Sequence, residues 1–352
     1  MPVTQNNIWG DIVNFENLYE SFRSASRAKR FRGSVLNYGQ HLEENLINTL
    51  NQLIWKQWQP SRYREFYVYE PKKRTIHAPP FKDRVVHHAL VRVIEPLFER
   101  KFIPDSYACR TGKGTHAAML RVESFAVTAN KKWGDYYVLK ADIKSYFPSI
   151  DRNVLFDLIK RTISDKDALW LIGQIINCDG DVRGVPIGAL TSQLFANIYL
   201  DALDHYVKDE LGVKMYARYM DDFLVVHPDK DYLNKLLLDI GAFITDRLHL
   251  TFNPKTTIFK SGSSTCHPID FCGYRVWPDY TKPRKRTVKA ARKRFKKFVE
   301  LYRLGLMTLE QIRVSIVSFL GYMKHCDGKR SVESILNQLV FTKGSATATL
   351  SI

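Results

Sequence analysis

Three aspartates are spaced as a metal-dependent phosphoryl-transfer site would need them. Asp142 ends a short apolar run from Tyr136 to Ala141, and the pair Asp221-Asp222 sits near the turn of an apolar hairpin pattern from Met215 to Val226. Phosphoryl transfer by two cations needs carboxylates that hold the ions roughly 3.5–4 Å apart. A strand end beside a tight turn presents acids rigidly enough for that. The two positions are 79 residues apart, so such a site requires their strands to be neighbours in one antiparallel sheet. Adjacent aspartates alone usually mark a solvated turn. Here Tyr219 and Met220 precede them and Phe223 to Val226 follow; acids embedded in apolar surroundings are costly unless a cation or partner compensates them.

The elements that position these acids are read from periodicity. Residues 1–60 read as helical, with apolar spacing at Leu46, Ile47, Leu50, Leu53 and Ile54. Tyr63 to Tyr69 and Arg74 to Ala78 read as a hairpin with the polar tip Glu70-Pro71-Lys72-Lys73, ended by Pro79-Pro80. Asp151 is placed to cap a helix carrying Val154, Leu155, Leu158 and Ile159 on one face. Glycines and a proline within 180–188 predict a loop. A long helix follows, with Ser192 as its expected cap and Phe195, Ile198, Tyr199, Ala202, Leu203 and Tyr206 at helical spacing. A further amphipathic helix is expected over 232–248 and a short hairpin over Phe271 to Trp277.

From Lys282 to Lys297, ten of sixteen residues are Lys or Arg and none is acidic, yet Val288, Ala291, Phe295, Phe298 and Tyr302 keep a 3–4 spacing. That pattern predicts a helix with one buried face. Its basic residues, Arg284, Lys285, Arg286, Lys289, Arg292, Lys293, Lys296 and Lys297, are suited to phosphate contact. The whole chain of 352 residues carries 53 Lys+Arg against 36 Asp+Glu, a net charge of +17, which attracts polyanions and nucleic acid above all. Neither a signal peptide nor a membrane-spanning run is expected. Five scattered cysteines with no C-x-x-C pair suggest neither zinc nor disulfides, and Cys266-His267 and His325-Cys326 read as structural or surface pairs. A reducing cytoplasm fits.

With these residues in view, the chain resembles the reverse transcriptases. Tyr219-Met220-Asp221-Asp222 matches their YxDD signature, and Asp142-Ile143-Lys144-Ser145-Tyr146-Phe147 resembles their first catalytic motif. Gly184 to Gln193 is similar to the loop and helix start that touch nucleotide and template. Phe271-Cys272-Gly273-Tyr274 resembles the primer grip, and Lys73-Arg74 with Phe81 to Val86 the fingertip segment of group II intron and other bacterial enzymes. The resemblance spans about residues 60–330. It implies an α+β right-hand polymerase with fingers, palm (an antiparallel sheet backed by helices) and helical thumb. The expected division is fingers and N-terminal extension in 1–117, palm in 118–149, fingers in 150–190, palm in 191–279 and basic thumb in 280–352. Asp142, Asp221 and the Ile143 carbonyl would hold two Mg²⁺ ions (or Mn²⁺), with Asp222 in support. Arg74, with Lys72 or Lys73, would hold the triphosphate, Phe147 would exclude a 2′-hydroxyl, and Lys255 would protonate the pyrophosphate. Ile187, Gly188 and Gln193 would lie on the nucleotide side.

One departure narrows the resemblance. Where most relatives read Gln-Gly-x-x-x-Ser-Pro, this chain reads Ile187-Gly188-Ala189-Leu190-Thr191-Ser192-Gln193, as in enzymes of diversity-generating retroelements. Thr111 to His116 and Gly321 to His325 also look like that group. The resemblance implies error-prone copying of a template RNA at its adenines for mutagenic retrohoming, from a DNA or RNA primer with deoxynucleoside triphosphates. It also implies a small basic pentameric accessory protein and a cytoplasmic setting, bacterial or phage-encoded. No RNase H, maturase or endonuclease domain is expected beyond the thumb-like segment. The alternative is a retron-like or antiphage-defence reverse transcriptase, although the retron hallmarks Asn-Ala-x-x-His and Val-Thr-Gly are not found. An RNA-copying RNA polymerase is opposed by Phe147, and a non-catalytic scaffold by the intact aspartates.

Overall fold

The computed structural model describes residues 4–69, 73–178, 181–263 and 265–342. Its strands are β1 (Arg64–Val68), β2 (Arg74–Ala78), β3 (Tyr136–Asp142), β4 (Tyr216–Tyr219), β5 (Asp222–His227), β6 (Thr257–Ser261), β7 (Ile269–Phe271), β8 (Tyr274–Val276) and β9 (Thr281–Pro283). β1 and β2 form an antiparallel hairpin with Arg64 opposite Ala78 and Val68 opposite Arg74. β4, β5, β3 and β6 form a sheet in that order, so the strand that ends at Asp142 neighbours the strand that begins at Asp222. β7, β8 and β9 form a third, antiparallel sheet.

The chain divides into two compact units. The first comprises Met1–Gly112, Lys140–Leu224 and Asn234–Thr257. Its core is built around the helix Phe81–Glu99, whose Val85, Val86, Ala89, Leu90 and Ile94 are buried, and which packs on the helices Phe15–Ser26 and Leu190–His205. The second comprises Lys113–Leu139, Val225–Leu233 and Ile258–Ile352. There the helix Lys285–Arg303 sets Ala291 and Phe295 against Phe319, Met323 and Ile335. Complete burial of a side chain such as Phe295 contributes about 1.5–3 kcal/mol, so the apolar face, not the mutually repelling exposed one, favours the helix.

Most expected elements occur within a residue or two of their expected bounds. Asp151 caps the helix Arg152–Lys160, accepting from the N–H groups of Asn153 (3.0 Å) and Val154 (3.2 Å). Ser192 does not act as a cap: the long helix already begins at Leu190, after an Ala189 that offers no side-chain cap, and Ser192 is buried in its first turn. Helical spacing does not reveal that this helix ends in a π-helical turn, Tyr206–Glu210. The strand β9, which follows Pro278 closely, is too short at three residues to show a period of its own. Glu70, Pro71 and Lys72 of the expected hairpin tip, Gly180 in the expected loop, and the last ten residues of the expected thumb lie outside the described residues. Among the described residues, no helix is long and apolar enough to cross a membrane.

Candidate active site

The aspartates converge because three stretches of backbone in the first unit are stitched together. The Ile143 N–H donates to the Asp221 carbonyl (3.3 Å), and the Asn253 N–H donates to the Asp142 carbonyl (2.7 Å). The Asn253 side chain also donates to Asp142 Oδ2 (2.9 Å). Met220 makes the tight turn between β4 and β5 with φ +56°, a left-handed conformation rare outside glycine. Beside it opens a cavity of about 1580 Å³ lined by Lys73, Arg74, Phe147, Ile187, Gln193, Asp221 and Asp222, among others. Ser145 (φ +49°) and Cys109 (φ +54°) line it too. Non-glycine residues in this backbone region are costly and cluster where a surrounding structure enforces them, often at functional sites.

Electrostatics distinguishes the three acids. Burial pushes Asp221 up to about 6; Asp142 adds to the rise, while Arg74 and Arg218 oppose it. Burial likewise pushes Asp222 up to about 6, with Lys140 opposing and Asp142 and Asp221 adding. The Lys140 ammonium lies 3.5 Å from Asp222 Oδ2, yet Asp222 Oδ1 is buried with no hydrogen-bond partner. The turn therefore packs more negative charge than its neighbours neutralise, and a divalent cation fits this shortfall. Among the described residues no three His, Cys, Asp or Glu side chains form a metal group by themselves. The carboxylates that could hold it are Asp142 and Asp221, which the backbone bonds of Ile143 and Asn253 bring together. Asp222 already faces Lys140.

The loop before the long helix builds the other wall. Val185 N–H donates to the Phe147 carbonyl (3.0 Å), and Phe147 meets Tyr146 edge to face at 5.6 Å. Buried Arg152 fastens the loop by donating to the carbonyls of Gly184 (2.6 Å) and Asp181 (2.8 Å). The His77 N–H of β2 donates to the Ile187 carbonyl (2.9 Å), which fixes Ile187 beside the hairpin. Gly188 permits that approach: its φ is +123°, and a Cβ there would lie 2.8 Å from Ile76 Cγ2 and 3.2 Å from the His77 carbonyl. Lys73 and Arg74 are at the hairpin's cavity end, with the Lys73 ammonium 4.5 Å from the Tyr67 ring centroid.

Not every expected residue gathers here. Lys255 is exposed in the turn after Asn253 and is not among the residues lining the cavity. Phe271, Cys272, Gly273 and Tyr274 belong to the second unit, where Cys272 (φ +48°) and Gly273 (φ +95°) make the β7–β8 turn. Tyr322 Oη donates to the Gly273 carbonyl (2.6 Å), its ring stacks on Tyr274 at 4.7 Å, and Tyr274 Oη lies 2.9 Å from His116 Nδ1. His116 in turn stacks on His325 at 3.8 Å, so the histidines of two motif fragments meet. In the basic helix, Lys285, Arg286, Lys289, Lys293, Lys296 and Lys297 are exposed. Arg284 instead pairs with Asp270, and Arg292 donates to Ser334 Oγ (3.0 Å).

Sequence reasoning missed Arg218. It is fully buried and paired with fully buried Asp204. Its signal was available: a single charge between Ala217 and Tyr219 in an otherwise apolar strand demands a partner elsewhere.

Comparisons with known proteins agree with this geometry. A family model described as "Reverse transcriptase (RNA-dependent DNA polymerase)" matches residues 69–276, more than half of the chain. The chain is 28% identical over 169 residues to Protein YkfC of Escherichia coli (strain K12), covering 45% of this chain and 44% of that protein. It is 25% identical over 206 residues to the group II intron-encoded protein LtrA of Lactococcus lactis subsp. cremoris, covering 55% of this chain and 33% of that protein. The chain thus spans less than half the length of these curated relatives. Among solved structures, apo telomerase from Candida Tropicalis aligns with a TM-score of 0.50 at 13% identity, covering 79% of this chain and 60% of that one. At that identity the likeness shows the fold alone, the mixed helix-and-sheet architecture of a right-hand polymerase.

Proposed function

Because this chain belongs to the reverse transcriptase family, we propose that it is an RNA-directed DNA polymerase that extends a DNA or RNA primer on a template RNA. The observation that carries this reading is the buried, under-neutralised turn Asp221-Asp222 beside Asp142, opening on a cavity with Arg74 and Phe147 on its walls. Two divalent cations, Mg²⁺ with Mn²⁺ as a substitute, would supply the charge that activates the primer hydroxyl and stabilises the transferring phosphate. Asp142, Asp221 and the Ile143 carbonyl would hold them, with Asp222 in support. Arg74 and Lys73 bind the triphosphate from the hairpin side. Phe147, whose carbonyl accepts from the Val185 N–H, excludes a 2′-hydroxyl sterically. Lys255, two residues beyond the Asn253 that holds Asp142, donates the proton to pyrophosphate. The exposed lysines of helix Lys285–Arg303 bind the template–primer backbone as part of a thumb in 280–352, with the palm in 118–149 and 191–279 and fingers before and between.

In finer detail, the enzyme belongs to a diversity-generating retroelement, copies its RNA with errors at adenines for mutagenic retrohoming, and works with a small basic pentameric protein in the cytoplasm, bacterial or phage-encoded. The support is Ile187 in place of glutamine on the cavity wall, and the meeting of His116 with His325. The retron-like or antiphage-defence alternative shares the same polymerase chemistry. Primer extension on an RNA template tests the broader reading: the native chain should incorporate deoxynucleotides and Asp221→Asn should not. Equal rates for the two would remove the aspartates from the chemistry. Sequencing the cDNA tests the finer reading, since an error spectrum without excess at template adenines would refute it.

A further inference from the structure

The turn that presents Asp221 is held in place from beneath. Arg218 has five N–H donors, and acceptors lie within reach of its whole fork. Nε donates to Asp204 Oδ1 (2.7 Å) and Nη2 to Asp204 Oδ2 (2.5 Å). Nη2 also donates to Ser106 Oγ (3.1 Å), and Nη1 to Asn197 Oδ1 (3.4 Å). The remaining bond differs in kind: Nη1 donates to the Met220 carbonyl (3.0 Å), the peptide group immediately before Asp221. Tyr216 Oη donates to Asp204 Oδ1 (2.6 Å), so the carboxylate that orients the guanidinium is itself fixed. The backbone of Arg218 is tied as well, its N–H to the Asp105 carbonyl (2.9 Å) and its carbonyl to the Tyr107 N–H (3.0 Å).

We propose that Arg218 is a positioning residue for catalysis: locked by Asp204, its guanidinium grips the Met220 carbonyl and fixes the left-handed turn that aims Asp221 at Asp142. The Asp221 peptide is then clamped from both sides, by Arg218 on the carbonyl before it and by the Ile143 N–H on its own carbonyl (3.3 Å). Asp204 and Ser106 take only Nε and Nη2; Nη1 has the long contact to Asn197 and the shorter bond to the turn. That arm goes to the one peptide group whose orientation sets the carboxylate, at a residue whose φ of +56° would otherwise relax. A lysine at this position would keep the charge opposite Asp204 but has no rigid fork to reach a second acceptor.

This inference rests on the polymerase reading, and steady-state single-nucleotide incorporation tests it. In Arg218→Lys, assayed well below its melting temperature, kcat should fall roughly 10–100-fold, the scale of a misplaced reacting group, with the nucleotide KM almost unchanged. The Mg²⁺ concentration at half-maximal rate should rise roughly tenfold or more, as when a group that orients a metal ligand is removed. A double variant, Arg218→Met with Asp204→Leu, removes the buried pair without orphaning a charge, an exchange that many proteins tolerate; it should melt cooperatively and show the same two defects. Asp204→Asn keeps the shape and loosens the fork but leaves the guanidinium charge unpaired, so its kinetics are read where it melts cooperatively. Any of these that folds and works with the native kcat and Mg²⁺ midpoint would overturn the positioning role and leave Arg218 a stability residue. A native chain that extends no primer would instead sink the polymerase reading itself, and this inference with it.

Discussion

Replacing Asp221 with asparagine should make the metal-free protein more stable while abolishing nucleotide transfer. The carboxyl has an ordinary value of 3.8 and is pushed up to about 6, chiefly by burial. Between those two pH values the folded protein binds more protons than the unfolded chain, so stability rises as pH falls through about 6 and is fully gained below about 4. Above pH 6 the ionised carboxylate opposes folding. At 1.36 kcal/mol per pH unit, the interval corresponds to a cost of about 3 kcal/mol, which Asp221→Asn removes. Asp222→Asn should act in the same direction, but the two gains do not add, because each acid is part of the other's cost. A thermal melt in chelator at pH 7.5 should place Asp221→Asn a few degrees above the native chain. At pH 5 the difference should shrink, because the native carboxyl then takes up its proton. Mg²⁺ should raise the melting temperature of the native chain more than that of the variant, since a ligand stabilises the state it binds. A variant that melts at or below the native temperature in chelator, or whose advantage ignores pH, would refute the claim that the turn is under-neutralised.

Phe147→Ala should admit ribonucleotides, because the barrier assigned to that ring is steric; unchanged discrimination in single-nucleotide kinetics would remove Phe147 from the sugar site. Gly188→Ala should cost about 1–3 kcal/mol of stability from its backbone conformation alone, and should raise the nucleotide KM by loosening the hydrogen bond between His77 and Ile187; a melt and a nucleotide titration read both effects. Neutralising Lys289, Lys293, Lys296 and Lys297 together should weaken template–primer binding and flatten its log–log salt dependence by about 0.7–0.9 for every phosphate that is no longer neutralised, whereas an unchanged slope would mean a merely solvated face. Ile187→Gln adds hydrogen-bonding capacity to the cavity wall. Deep sequencing of the cDNA should then show fewer errors, most clearly opposite adenines, and an active variant with an unaltered spectrum would clear Ile187 of any part in fidelity.

What the sequence made legible were the features whose physics is local. Asp142, Asp221 and Asp222 stand out because acids in apolar strands are expensive, and the strand periodicities around them fix which residues turn inward. The amphipathic helix Lys285–Arg303 is readable for the same reason: its apolar stripe repeats at 3–4 residues whatever the other face carries. Ser192 misled because a hydroxyl near a helix start is only a candidate cap. The actual start is set by packing: Thr191 is buried and meets His87 Nδ1 at 2.8 Å, a partner 104 residues away. Lys255 is legible only as a local turn after Asn253; its distance from a bound nucleotide is set by packing that no spacing rule encodes. Arg218 lies between these extremes. The sequence announces that a charge is buried there, yet its meaning lies in the identities of its acceptors: Asp204 on the preceding helix, Ser106 on a distant loop and Met220 on the turn itself. A site of this kind is half written in the residues that must touch substrate. The other half is in residues that never touch it, and those become readable only when the chain brings them together.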